Sequence, residues 1–519
     1  MVVVLLVAVV ALPFLLRSAG LGERPADASV SGGDTTASDR LIIVTPHNEQ
    51  IRAEMAAGFN RWRREAALGS VAFDWRASGG TTDLRKSILA QFTALAREGR
   101  PLDDGIGLDL FFGGGDYDHS KLATGIAVRG GGHETATETV SEVANLPAGL
   151  LAAAFPQQDI GGEPLLHPER LWVGTALSSF GIVYNRDLLV MLEREPPTTW
   201  SDLTDPAYAG WVAAADPGHS GSIAAAFNAV LRREGWDAGW RTLRRVFANA
   251  RYFASSASRV PVDVSSGEAA AGLCIDFYGR TQAGAVAADG WSGDVEHEGA
   301  SREVRARTSR LGYADPVEGG RSMTATTADP ITLLRGAPHR ETAEQFIAWL
   351  LSPAGQRLWQ AKPGTAGGPL RDALRRQPIR RDLYTPVGRA GWSDPEIDPF
   401  RTAVPMPPGT PSYFALVSPV THAMGIDVHE DLVAAWAALR AMPDDHPRHD
   451  EAWALFDALP DDLTPPPGGD AAALRAMTEA LDGRSPDQRL LDARRWTRFF
   501  RSSYRRVVEL SAAVAAGSE

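Results

Sequence analysis

The chain is 519 residues long, 44% hydrophobic and 22% charged, a composition of soluble globular proteins rather than disordered or membrane-embedded ones. Acidic residues outnumber basic ones, 64 to 52, for a net charge of −12; a general nucleic-acid binder has the opposite balance, so no nucleic-acid partner is expected. The single cysteine, Cys274, excludes an internal disulfide and a multi-cysteine metal site. Two or three lobes are expected at this length.

Met1–Leu16 is apolar, interrupted only by Pro13, and falls short of the ~20 residues that span a bilayer. Residues 1–19 therefore predict a signal peptide or an N-terminal anchor. The protein is expected in the periplasm or another extracytoplasmic space, membrane-anchored if the leader is not cleaved. Residues 20–40 are Gly/Ala/Ser/Asp/Thr-rich and aperiodic and predict a flexible linker.

A buried-type strand is predicted at Leu41–Val44, then a helix with Ile51, Met55 and Phe59 on one face. A second strand at Val71–Trp75 leads to a helix face of Leu84, Ile88, Leu89 and Phe92, and a third strand at Leu108–Phe112 ends in three glycines. This alternation predicts a βαβ parallel sheet, with ligands beyond the carboxyl ends of its strands. A second αβ region runs over 172–309, with strands at Gly181–Tyr184, Gly210–Ala214 and Ala271–Ile275 and a helix from Ser222. Leu311–Tyr313 is read as the return to the first lobe, so that lobe I comprises 41–171 and 310–380. In Glu341–Gln360, residues Ala343, Phe346, Ile347, Leu350 and Leu351 form one buried helix face, broken at Ser352–Pro353. Residues 381–519 predict a mostly helical C-terminal extension, closing on a basic amphipathic helix over Ser485–Ala516.

Five places carry chemistry. Ser78, Gly79, Gly80 and Thr81 lie between a strand and a helix, where glycine lets a ligand approach the backbone and the first helical N–H groups lack partners. An ordinary N-cap by Thr or Asp explains the same letters. Gly113, Gly114, Gly115 and Asp116 repeat the pattern one strand later. Asp116, Asp118 and His119 could hold a hard metal, or could simply face water. Ser178 and Ser179 precede another strand, and His219, Ser220 and Gly221 open a helix as a second-lobe anion cup. Gly218–Ser222 misses the G-x-S-x-G nucleophile elbow because Ser222 occupies the last glycine position. Asp276, Tyr278 and Arg280 concentrate a carboxylate, a phenol and a guanidinium at a strand end; they read as an oxyanion site or as a local ion pair.

Taken together, LIIVTPHNEQI, DWRASGGTTDL, SSFGIVYNRDLL and LLRGAPHRETAEQFIAWLLSPAGQ resemble, in order and spacing, the type II periplasmic solute-binding proteins of ABC importers. The resemblance is to the branch that includes ferric-iron, thiamine and sugar-phosphate carriers. It implies an α/β fold of two βαβ lobes with a ligand cleft at a hinge, crossed near Trp172–Phe180 and Arg310–Val317. It also implies a non-enzymatic protein without a cofactor, whose partners are a small solute and an ABC permease in the cytoplasmic membrane. His47 matches the early histidine of ferric carriers and Tyr278 the first of two tyrosines; Gly279 stands where the second would be. Ligand residues expected on this basis add His47 and Asn48 to the cups above. The expected solute is a small anion such as a sugar phosphate or phosphonate, with ferric iron on His47 and Tyr278 as the alternative. An extracytoplasmic hydrolase using Ser220 or Asp116/Asp118/His119, or a ligand-sensing subunit, is the alternative of another class.

Overall fold

The computed structural model describes residues 39–77, 79–129, 135–288, 310–465 and 471–512. The leader, residues 20–38 of the expected linker, Ser78 and the charged segment 294–309 lie outside the described residues, while Asp39 and Arg40, expected in the linker, begin the first strand because they pair in register with Val71 and Ala72.

Lobe I opens with β1 (Asp39–Val44), α1 (Glu49–Glu65), β2 (Val71–Arg76), α2 (Thr81–Arg97), β3 (Leu110–Phe112) and α3 (Asp116–Thr124). α1 starts where Asn48 Oδ1 accepts from Ile51 N at 3.0 Å, and Ile51, Met55 and Phe59 are its buried stripe. The chain leaves along β4 (Val173–Ser178) and continues directly into β5 (Phe180–Asn185) of lobe II, with Ser179 alone between the strands. Lobe II then holds β6 (Val212–Ala215), α4 (Gly221–Glu234), α5 (Trp236–Asn249), β7 (Ala250–Ala254), β8 (Ala271–Ile275), α6 (Asp276–Ala288) and β9 (Leu311–Ala314). β10 (Thr327–Leu334), α7 (Arg340–Leu351), α8 (Pro353–Leu358) and β11 (Gln377–Pro378) complete lobe I. α7 stops at Ser352, whose side chain accepts from Gly355 N to start α8, with Pro353 in the first turn.

The seven-stranded sheet runs β11-β4-β10-β3-β1-β2, with Ser141–Glu142 paired to β10; the five-stranded sheet runs β7-β6-β8-β5-β9. In each, three mutually parallel strands meet an antiparallel one beside the third: β10 against β3, and β5 against β8. This is a two-lobed α/β fold, and the repeated pattern places the carboxyl ends of both parallel sets at the interlobe gap.

Leu311–Tyr313 does not return to lobe I. It pairs antiparallel with β5 as the edge of the second sheet, because Leu311 is needed to close that core at 1% exposure. The return is made by the segment between β9 and β10, which starts within the expected Arg310–Val317 window, after Ala314.

The C-terminal extension contains α9 (Phe414–Thr421), α10 (His429–Ala441), α11 (His449–Asp457), α12 (Ala471–Asp482) and α13 (Pro486–Ala512). Trp496, Phe500, Tyr504 and Val507 form the buried face of α13, and Tyr504 donates to Met424 O at 3.0 Å. Among the described residues no helix is long and apolar enough to cross a membrane.

Candidate functional site

The gap between the lobes is built from helix amino ends. α2 begins after Gly80 and α3 after Gly115, and neither capping residue makes a side-chain hydrogen bond, so a side-chain N-cap is absent at both. α4 begins after Ser220, whose hydroxyl accepts from Ile223 N at 3.4 Å. α6 begins at Asp276.

The glycines are explained by close approach. A Cβ on Gly80 would lie 1.8 Å from the His219 carbonyl oxygen across the gap, and one on Gly221 would lie 2.9 Å from Asp118 Oδ2. His219 Nδ1 stands 3.3 Å from Asp83 Oδ2, so the two cups touch and the lobes are closed on each other. Gly113 and Gly114 have φ of +97° and +108°, and their Cβ positions are filled by the His47 ring and by Thr81.

Beneath that turn lies a buried polar cluster. Asp329 sits at an irregularity in the β10–β4 register, next to Pro330. Its carboxylate accepts from Gly114 N at 3.0 Å and from His47 Nε2 at 2.9 Å, and pairs with Arg376 Nη1 at 3.0 Å. Arg376 also donates to Ser178 Oγ at 2.8 Å and lies 4.4 Å over the Phe277 ring; its Nε has no partner. Despite burial, Arg376 and His47 hold the Asp329 carboxyl down to about 2, whereas burial lowers His47 and keeps it neutral.

Three cavities are lined by residues of the two lobes. The first, about 310 Å³, is lined by Gly114, Gly115, Asp116, Tyr117, Ser178, Gly221, Ser222, Asn228, Arg232, Glu163, Arg376, Ser412 and Phe414, among others. Arg376 of lobe I and Arg232 of lobe II thus both line it, together with the amino ends of α3 and α4. Glu163 pairs with Arg232, and burial together with Glu163 pushes Asp116 up to about 7. The second cavity, about 390 Å³, holds Gly79, Gly80, Thr81, Asp83, His219, Ser220, Ser222 and Tyr278. The third, about 510 Å³, lies at the hinge and holds Ser178, Ser179, Asp276, Arg280, Asp315 and residues of the 396–404 segment.

The structure therefore divides the expected site residues. Gly114, Gly115, Asp116, Ser178 and Gly221 share the first cavity; Gly79, Gly80, Thr81, His219, Ser220 and Tyr278 share the second. Asn48 is a helix cap, and Gly113 is a turn over His47. Asp276 and Arg280 face the hinge cavity: Arg280 Nη2 donates to Asp315 at 2.9 Å and Nη1 lies 3.8 Å from Asp276. An ion pair with Asp315 is present there, and Asp276 lies close to the same guanidinium. Burial raises Asp276 to about 6, with Arg280 opposing. Arg280→Ala is accordingly expected to cost about 3 kcal/mol of stability by stranding buried Asp276, with solute affinity within about twofold of the parent, as checked by denaturant unfolding and calorimetry.

The chemical alternatives are also resolved into separate contacts. Asp118 pairs with Arg85 at 2.6 Å, and His119 is held between Thr332 Oγ1 and Gly113 O, its pKa lowered by burial to about 4. Among the described residues no cluster of three His, Cys, Asp or Glu could hold a metal ion. The His219 ring turns to Asp83 and Asp216, while Ser220 Oγ meets Ser222 Oγ at 3.1 Å.

Arg376, Asp329, Glu163, Arg232 and Phe414 were not visible as site residues in the sequence. For Arg232 a signal existed: Gly221, Ala225, Asn228 and Arg232 follow the i, i+4, i+7, i+11 stripe of the helix that opens at the second-lobe cup, and all line the cavity. Arg376 and Asp329 come together only through the sheet.

Residues 152–369 match a family model described as bacterial extracellular solute-binding protein. The phosphoglycerate transport regulatory protein PgtC of Salmonella typhimurium is 27% identical over 188 residues, 36% of this chain and 40% of that protein. The chain thus matches well under half of that relative's length. Among solved structures, the periplasmic binding protein AfuA from Actinobacillus pleuropneumoniae, with exogenous fructose-6-phosphate bound, aligns at 16% identity and TM-score 0.49, covering 77% of this chain and 98% of AfuA. Iron-bound HitA from Pseudomonas aeruginosa aligns at 17% identity and TM-score 0.46, covering 71% and 92%.

Proposed function

We propose that this chain, across residues 152–369 a member of the bacterial extracellular solute-binding proteins, captures a small phosphorylated or otherwise anionic organic solute in its cleft and delivers it to an ABC permease outside the cytoplasm. The observation that carries this reading is the first cavity: Arg376 of lobe I and Arg232 of lobe II line it, together with the amino ends of α3 and α4. Guanidinium groups and helix amino ends match an oxyanion's acceptors, and their origin in different lobes makes closure depend on the solute. Glu163 and Asp116 add acceptors suited to hydroxyl groups. A cavity of about 310 Å³ suits a small polar solute. The name of the Salmonella relative, phosphoglycerate transport regulatory protein, agrees with a phosphorylated acid.

The ferric alternative is less well supported. His47 is 5% exposed, lies under Gly113 and gives its Nε2 to the Asp329 cluster, with the Arg376 cation 3.1 Å away. Protein loaded with ferric citrate and desalted is expected to retain no stoichiometric iron by plasma mass spectrometry; one iron per chain would restore that alternative.

The cavity also has a pH dependence with a definite sign. Below about 7 the Asp116 carboxyl is protonated and can donate to an oxyanion; above it the carboxylate repels one. For a sulfate ester, which does not itself titrate, affinity is expected to fall by up to about tenfold between pH 6 and 8, following the protonated fraction. In Asp116→Asn the calorimetric profile should be flat. A wild-type profile that is already flat would remove Asp116 from the solute's surroundings.

A further inference from the structure

Closure in this chain involves a third body besides the lobes. The C-terminal helices are fastened to lobe II by buried contacts. Tyr413 N donates to Asn228 Oδ1, Trp236 Nε1 to Leu463 O and Trp436 Nε1 to Asn249 Oδ1, each at 2.8 Å. Fully buried Arg244 donates to the carbonyls of Phe456 and Ala458.

Toward lobe I the same helices make thinner contacts at the wall of the first cavity. The Phe414 ring stacks on Tyr117 with centroids 4.2 Å apart and planes 24° apart. Asp482 lies 3.4 Å from Lys121 Nζ, and Lys121 and Arg85 stand 5.1 and 5.7 Å from the Tyr117 ring centroid. Tyr117 and Phe414 both line the cavity. An aromatic stack and a half-exposed ion pair are each weak enough to break and re-form, whereas the buried fastenings to lobe II are not.

From this asymmetry we infer that the C-terminal helices are a latch carried on lobe II that engages lobe I when the cleft closes, with Phe414 a specificity-determining residue of the solute cavity. Opening the cleft pulls Phe414 off Tyr117; closing restores the stack and sets one wall of the cavity, limiting the bulk it admits. The specificity role rests on the first cavity being the solute site; the latch does not.

The two parts are tested on the full chain. Dyes are attached at Glu98→Cys on lobe I and Met191→Cys on lobe II, both exposed, while Cys274 is fully buried and does not compete. Without solute, adding Phe414→Ala is expected to lower energy transfer, and Lys121→Ala to lower it less. Unchanged transfer in both variants overturns the latch. Phe414→Leu, which keeps an apolar side chain there, replaces the alanine variant if circular dichroism shows that variant unfolded. Calorimetry with phosphoglycerate and fructose 6-phosphate then tests the wall: Phe414→Ala should shift the affinity ratio toward the bulkier sugar phosphate by about three- to tenfold, the scale of one aromatic contact. An unchanged ratio overturns the specificity role. Wild-type protein that binds neither probe overturns the solute reading and that role with it, while energy transfer still decides the latch.

Discussion

Arg376→Ala is expected to be among the most damaging single changes to this protein, lowering stability by about 3–5 kcal/mol and abolishing measurable solute binding. The reason is geometric. Arg376 is 2% exposed, Asp329 is 2% exposed, and their pair at 3.0 Å has His47 as a neutral neighbour. Without the guanidinium, the Asp329 carboxylate is left buried with two neutral donors, Gly114 N and His47. The sign of the acid response follows. The folded carboxyl, at about 2, is below the ordinary Asp value, so its stabilisation is present above the unfolded pKa and is lost as pH falls through about 2. Removing Arg376 weakens that depression, so acid unfolding should move to higher pH. Arg376→Lys is expected to recover part of the stability, since it restores a charge, and little of the binding, since the fork reaching Asp329 and Ser178 together is lost. Urea unfolding and calorimetry separate the two effects; a stability loss below about 1 kcal/mol for Arg376→Ala would contradict this account of the cluster.

Gly80→Val is expected to act the other way round, with stability nearly unchanged and solute affinity down by about a hundredfold. Gly80 has φ of −81°, which a valine can adopt, so the turn in lobe I tolerates a side chain. Its Cβ nevertheless occupies the place of the His219 carbonyl oxygen in the closed cleft. The substitution therefore penalises the closed form alone, and apparent affinity drops with the population of that form. Affinity within about threefold of the parent would mean that solute does not require this contact between cups.

The fold was largely legible because its signals are local. Strands at Leu41–Val44 and Ala271–Ile275 are short apolar runs with turn residues after them, and they appear as Asp39–Val44 and Ala271–Ile275. Of the apolar face expected for the final helix, Trp496, Phe499, Phe500, Tyr504 and Val508, the structure buries Trp496, Phe500 and Tyr504, half-buries Phe499 and leaves Val508 exposed. The edge strand Leu311–Ala314 was assigned to the first lobe because its composition carries no information about which sheet it joins; pairing with β5 decides that. The site was legible only in part for the same reason. Strand–glycine–helix turns announce the cups, and Gly80, Gly114 and Gly221 are where those turns led. Arg376 meets His47 across 329 positions of sequence. Phe414 comes from an extension with no place in the resembling family pattern. For Arg280 the sequence shows the carboxylate four residues before it, but not Asp315, which the fold brings to the same guanidinium.

The most direct test is a calorimetric titration of the full folded chain with two matched pairs: fructose 6-phosphate against fructose, and phosphoglycerate against glycerate. A phosphate contacted by charged donors in a closed cleft is expected to add at least about 2–3 kcal/mol, or more than about thirtyfold in affinity, for at least one pair. Binding of both members should fall below detection in Arg376→Ala and weaken about a hundredfold in Gly80→Val. Equal affinity for the phosphorylated and unphosphorylated member of each pair, or parental affinity retained in Arg376→Ala, would contradict an anion site in the first cavity.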